Sequence, residues 1–136
     1  MRVAVLYFRN GSEKVKKIAS HLSRGVESLG HQVTLIDAET DYDTKLTIYE
    51  YIIIGTVSNS FFTSKISDRI TDYLQNAGKV SGTKCYAFMV KNGLFVQKSL
   101  HLLMKTMEKE GMFLKISDVI STPEEAELIG KKLHIK

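Results

Sequence analysis

The residues Phe8-Arg9-Asn10-Gly11-Ser12-Glu13 follow an apolar run and open a helical pattern. A glycine at a strand-to-helix turn is a place where a chain can hold a phosphate. The first N–H groups of the helix lack partners, and the positive end of its dipole favours an anion. Arg9 can grip a phosphate with two parallel bonds, Asn10 can donate through its amide, and Ser12 can donate if its side chain turns inward. Lys14 is also close in sequence. Glu13 works the other way, because a carboxylate repels a phosphate dianion and offers no donor. Either a positive charge offsets Glu13, or Arg9 pairs with Glu13 and fills the site itself. The same residues also describe a plain turn, with Ser12 or Asn10 as N-cap and Glu13 well placed on the first turn. Both readings draw on the same N–H groups.

Other chemistries find little support. His21, His31, His101 and His134 are scattered with no metal-ligand spacing, and the single Cys85 lies apart from them. Cys85 falls in the strand pattern KCYAFMV, which suits a buried structural thiol, and one cysteine excludes an internal disulfide. Neither a GxSxG elbow nor a GxxxxGK[ST] loop is present. Asp37 reads as a turn residue after a strand, and the acidic stretch DAETDYD as a solvated loop. No side chain stands out as a dedicated acid or base, so no catalytic residue is assigned.

The elements that must position these residues alternate along the chain. Arg2–Phe8, His31–Asp37, Tyr51–Thr56, Thr83–Lys91 and Met112–Ile120 have strand character. YIIIGT is apolar throughout, as in a central parallel strand buried on both faces. Between them lie helical periodicities. Val15, Ile18, Leu22, Val26 and Leu29 form the first, ended by Gly30. Phe62, Ile66, Ile70, Leu74 and Ala77 form the second, and Val96, Leu100, Leu103, Met104 and Met107 the third, closed near Gly111. Thr122 as N-cap, Pro123 at the first helical position and Glu125 completing a capping box start the last. The stretch AETDYDTKLTIYE is polar and reads as a connection with at most a short helix.

Strict alternation implies right-handed βαβ crossovers. The expectation is an α/β domain over residues 1–136, three layers, doubly wound, with a five-stranded parallel sheet in the order 2-1-3-4-5. In such a sheet ligands bind beyond the carboxyl ends of the strands, where strand order reverses. The loops Phe8–Glu13, Thr56–Thr63 and Lys91–Phe95 converge there. A receiver domain shares this order but would carry acidic residues at the end of the first strand, where Tyr7, Phe8 and Arg9 stand.

At this point the chain resembles a flavodoxin over nearly its whole length. VAVLYFRNGSEKVKKIASHLSRGVESLGHQVTLID is similar to the first strand, phosphate loop, first helix and second strand of that family. YIIIGTVSNSFFTSKISDRITDYL resembles its apolar strand ending in Gly-Ser/Thr, with the loop and helix that follow. KCYAFMVKNGLFVQKSLHLLMKTMEKEG resembles its fourth strand, second flavin loop and helix. The resemblance implies a protein that binds FMN without a covalent bond and carries electrons, with redox chemistry on the flavin itself.

It implies a cofactor site as well. In the family the first loop reads roughly Ser/Thr-x-Thr-Gly-x-Thr; here Gly11 aligns while the hydroxyl positions fall on Phe8, Asn10 and Glu13. Arg9, Asn10, Gly11, Ser12 and Glu13 would face the phosphate. Thr56, Ser58, Asn59 and Ser60 would offer polar edges to the ring, with Phe61 as the stacking aromatic. Phe62 reads instead as a helix core residue, in step with Ile66 and Ile70. Asn92, Gly93 and Phe95 would form the far side of the ring, Phe95 either against the flavin or under the next helix. The second loop lacks the proline and the tyrosine or tryptophan often found there.

Composition bounds the setting. Apolar residues make up 43% of the chain and the mean hydropathy is −0.08, as in ordinary globular proteins. The opening MRVAVLYF is too short for a secretory signal and YIIIG far too short to span a bilayer, so a cytoplasmic protein without membrane association is expected. The net charge is +4, with the basic residues spread rather than patched, which argues against nucleic acid. Flavodoxins are typically acidic, so this chain's redox partner proteins are expected to carry acidic patches. A monomer or weak dimer is expected. Two other readings stay open: an interaction or regulatory module that keeps the fold without flavin, and a small FMN-dependent quinone or nitro reductase.

Overall fold

A computed structural model describes residues 1–58, 62 and 64–135. Five parallel strands form one sheet: β1 (Arg2–Tyr7), β2 (Gln32–Asp37), β3 (Tyr51–Thr56), β4 (Lys84–Val90) and β5 (Phe113–Ile120), in the order β2-β1-β3-β4-β5. Four helices connect or close them: α1 (Glu13–Glu27), α2 (Arg69–Asn76), α3 (Val96–Lys109) and α4 (Pro123–Lys132). The expected architecture and strand order are those observed.

The sheet separates two cores, and the period of two along each strand assigns side chains to them. Val3, Val5 and Tyr7 of β1 join Ile53 and Phe88 against α1 and α4. Ala4 and Leu6, with Phe8 just beyond, join Ile52, Ile54, Cys85 and Met89 against α2 and α3. All six residues of β3 are buried, as a strand covered on both faces requires. Burial pushes the Cys85 thiol up to about 12, so it stays protonated and packs as an apolar group.

Three helix expectations change. The helical face that included Phe62 fails at its start. Phe62 lies in a turn with 72% of its surface exposed, and α2 begins only at Arg69. Ser67 accounts for this start: its hydroxyl accepts the Arg69 N–H at 3.2 Å, so the first turn organises there rather than at Phe62. Leu29 lies beyond the end of α1 in a turn and is exposed, not on the buried face. Ser12 does occupy the N-cap position, but its side chain makes no capping bond. Thr122, by contrast, accepts the Glu125 N–H at 3.1 Å as the capping pattern requires.

Candidate functional site

Register sets the geometry of the carboxyl edge. Tyr7 stands level with Asp37 of β2 and with Gly55 of β3, and Gly55 stands level with Phe88 of β4. Gly55 is required there, because a β-carbon would run into the Phe88 ring. The three loops that leave this edge are tied together. Asn10 donates its side-chain amide to the Val57 carbonyl at 2.9 Å, and Thr56 donates its hydroxyl to the Phe8 carbonyl at 2.9 Å. The Ser58 hydroxyl reaches the Asn92 carbonyl at 3.5 Å. Thr56 and Ser58 are both buried. Asn59, Ser60 and Phe61 lie outside the described residues.

The β1–α1 loop turns through two left-handed residues, Asn10 at φ 48° and Gly11 at φ 86°. The Ser12 N–H closes the turn on the Arg9 carbonyl at 2.8 Å. Arg9 points into a carboxylate cluster. Its Nη1 lies 3.2 Å from Glu13 Oε1, and its Nε 3.1 Å from Asp37 Oδ2. The hydrogen bond to Glu13, with the Asp37 carboxylate beside it, raises the Arg9 pKa further, so the guanidinium is always charged. The pairing of Arg9 with Glu13 is the second of the two possibilities the sequence offered.

Glu39 completes the cluster, and sequence reasoning placed it in a solvated loop. Its Oε1 accepts the Asn10 N–H at 3.0 Å, its own N–H bonds Asp37 Oδ1 at 3.0 Å, and its Oε2 lies 4.0 Å from Arg69 Nε. Arg69 in turn donates from Nη2 to the Ala38 carbonyl at 2.6 Å, while its buried Nε finds no hydrogen-bond partner among the described residues. Arg9, Gly11, Ser12, Glu13 and Glu39 line one cleft of about 240 Å³. Burial and then the Asp37 charge raise the Tyr7 pKa, so that hydroxyl stays protonated. A usable signal for Asp37 existed: with β2 beside β1, the residue ending β2 must flank the first loop. Glu39 lies two residues on, where only the turn geometry reveals it.

The third loop turns through Gly93 at φ 80°, a left-handed conformation that favours glycine. Beyond it Leu94 and Phe95 are 67% and 43% exposed; Phe95 stands at the N-cap position of α3 and is not buried under the helix. Phe62, in the second loop, is also exposed to solvent. The first loop at this edge is therefore polar and charged over Arg9–Glu13, while the second and third loops carry exposed apolar side chains at Phe62, Leu94 and Phe95. Among the described residues, no group of three or more histidine, cysteine or acidic side chains could hold a metal, and no helix is long and apolar enough to cross a membrane.

Comparison with solved structures agrees with this layout. The chain is similar to a flavodoxin from the domain Archaea, with a TM-score of 0.73 and 20% identity over 96% of this chain and 94% of that one. It is similar to flavodoxin 1 from Bacillus cereus, with a TM-score of 0.74 and 14% identity over 98% and 100%. It also matches 35% of the flavodiiron protein from Giardia intestinalis over 97% of its own length, with a TM-score of 0.65 and 12% identity. No family model matches the sequence, and no curated protein is detectably similar to it in sequence. The fold is flavodoxin-like.

Proposed function

We propose that this chain is a flavodoxin-like flavin-binding protein that carries electrons between redox partner proteins, with FMN the flavin that the resemblance implies. The observation that carries the reading is the convergence of three loops, cross-linked by Asn10, Thr56 and Ser58, at the edge where strand order reverses. The loops of that edge fit a flavin unequally. The second and third loops suit a flat ring: Phe62, Leu94 and Phe95 offer exposed apolar surface, and Gly93 lets backbone come close. The first loop does not suit a phosphate dianion as it stands, since Glu13, Asp37 and Glu39 surround Arg9 and Glu39 already takes the Asn10 N–H. That misfit favours the interaction module without flavin as the second reading.

A titration of flavin-stripped protein with FMN, read by flavin fluorescence and visible absorbance, decides between them. Saturable quenching with a shifted spectrum is expected, and Arg9→Ala should weaken it about tenfold, since Glu13 and Asp37 would then face the phosphate without the guanidinium that neutralises them. Folded protein that leaves the FMN spectrum unchanged at tens of micromolar (about that range, by the affinity arithmetic of a specific site) overturns the electron-carrier reading.

A further inference from the structure

The mismatch between the loop and a phosphate has a structural basis in Glu39. We propose that Glu39, backed by Glu13, occupies the anion position of the β1–α1 loop, so that the site gains little from a ligand phosphate and holds FMN and riboflavin with similar affinity. The discrimination between flavins rests on the flavin-binding reading above; the occupancy of the loop does not.

A strand-to-helix turn binds an anion through its free N–H groups. In this loop the Asn10 N–H is bonded to Glu39 Oε1, and the Ser12 N–H to the Arg9 carbonyl. The guanidinium that would grip a phosphate bidentately has its Nη1 on Glu13 and its Nε on Asp37. Glu39 is not a casual visitor. Its backbone N–H is held by the same Asp37 carboxylate, and the Arg69 guanidinium flanks its other oxygen. Its side chain is 26% exposed against 73% for Glu13. Glu13 is thus the easily displaced member and Glu39 the fixed one. A phosphate arriving here must evict Glu39 or share a pocket with it, and the two guanidinium groups are already outnumbered by Glu13, Asp37 and Glu39. A riboflavin tail brings a hydroxyl that can donate to a carboxylate, and so pays no such penalty.

Glu39→Gln removes the charge and keeps an acceptor for Asn10; Glu39→Ala also vacates the position. Flavin-stripped wild type, both variants and Glu13→Gln/Glu39→Gln are titrated with FMN and with riboflavin. The same proteins, labelled with nitrogen-15, are titrated with inorganic phosphate while the Asn10–Glu13 amides are followed by NMR. Wild type should bind the two flavins within about threefold, and each variant should gain about tenfold for FMN but not for riboflavin, as removal of a like charge beside a dianion requires. Phosphate should shift the loop amides in the variants and leave wild type unmoved. FMN bound about thirtyfold tighter than riboflavin by wild type, with Glu39→Ala neutral, overturns the inference and leaves the flavin reading standing. If no protein in the set binds either flavin, the flavin reading falls and the phosphate titration decides: shifts in the variants alone uphold the occupancy by Glu39, and equal shifts in wild type, or none in any variant, overturn it.

Discussion

Asp41 shows how a single carboxylate in the β2–β3 connection anchors that segment to the core. Burial raises its pKa, but hydrogen bonds from the Tyr73 hydroxyl, from Thr44 and from the Asp43 and Thr44 backbone outweigh that, and the net shift is downward. Tyr73 meanwhile stacks edge-on against Phe8, with 5.8 Å between ring centroids, so the connection is fastened beneath the first loop. A carboxyl whose pKa is lower folded than unfolded stabilises the protein above its unfolded value, near 3.9, and that contribution disappears as pH falls through the folded value. Tyr73→Phe should therefore cost about 1 kcal/mol at pH 7, allowing for partial solvation of the carboxylate. The gap to wild type should shrink below about pH 4. Urea denaturation at both pH values measures it, and a gap that stays constant down to pH 2.5 (about the acid limit of the carboxylate window) would place the effect in lost packing instead. The same residues mark the limit of sequence reading. DAETDYD has no hydrophobic period, so nothing in it announces that Glu39 and Asp41 turn inward. Arg9, Gly11 and Glu13 were legible because a strand and a helix bracket them. Asp37 was legible in place but not in role, since its pairing with Arg9 depends on a side-chain direction that periodicity does not encode.

At the scale of elements, the helix pair α1 and α4 is packed more closely than ordinary side chains permit. A β-carbon on Gly25 would fall 2.8 Å from the Lys131 nitrogen and nearer still to the Glu127 carbonyl. One on Gly130 would fall 3.0 Å from the Gly25 Cα. The two glycines thus let backbone meet backbone, and the contact seats α1, whose N-terminus carries the candidate site. Alanine normally favours a helix over glycine by about 1 kcal/mol. Here the clash is with backbone, which cannot swing aside, so Gly25→Ala and Gly130→Ala should each destabilise by about 1–3 kcal/mol despite the gain in propensity. Thermal or urea melts measure this, and an unchanged or raised midpoint would mean that the helices part without cost. Neither glycine was singled out in the sequence, because a glycine within a helical run reports a weak propensity and not what packs against it. The strands were easier: continuous apolar character and burial in YIIIGT and in VAVLYF follow directly from helices covering both faces of the sheet.

Across the whole molecule, charge is arranged in two zones around the carboxyl edge. The interior of the first loop is rich in carboxylates, while exposed Lys14 and Lys17 on α1, Lys65 before α2, Lys91 after β4 and Lys98 on α3 stand on elements that begin or end there. The chain as a whole carries +4. A partner approaching this edge meets these lysines with Glu13 among them, while the Asp37 and Glu39 side chains are largely covered, and long-range attraction depends on the net field, which is positive. If electrons leave from this edge, an anionic oxidant should collect them faster than a cationic one of similar driving force. With flavin-loaded protein reduced chemically, hexacyanoferrate(III) should react about tenfold faster at low salt than at about 0.2 M, where the Debye length falls below about 8 Å, and hexaammineruthenium(III) should show the opposite slope. Lys91→Glu/Lys98→Glu should flatten both slopes, since these two changes cancel the net charge of +4 and both residues flank the loop where Leu94 and Phe95 are exposed. Stopped-flow traces at a series of salt concentrations give the result. Slopes of the same sign for both oxidants, unmoved by the charge reversal, would place electron exit elsewhere on the surface and remove the reason to expect acidic partners at this edge.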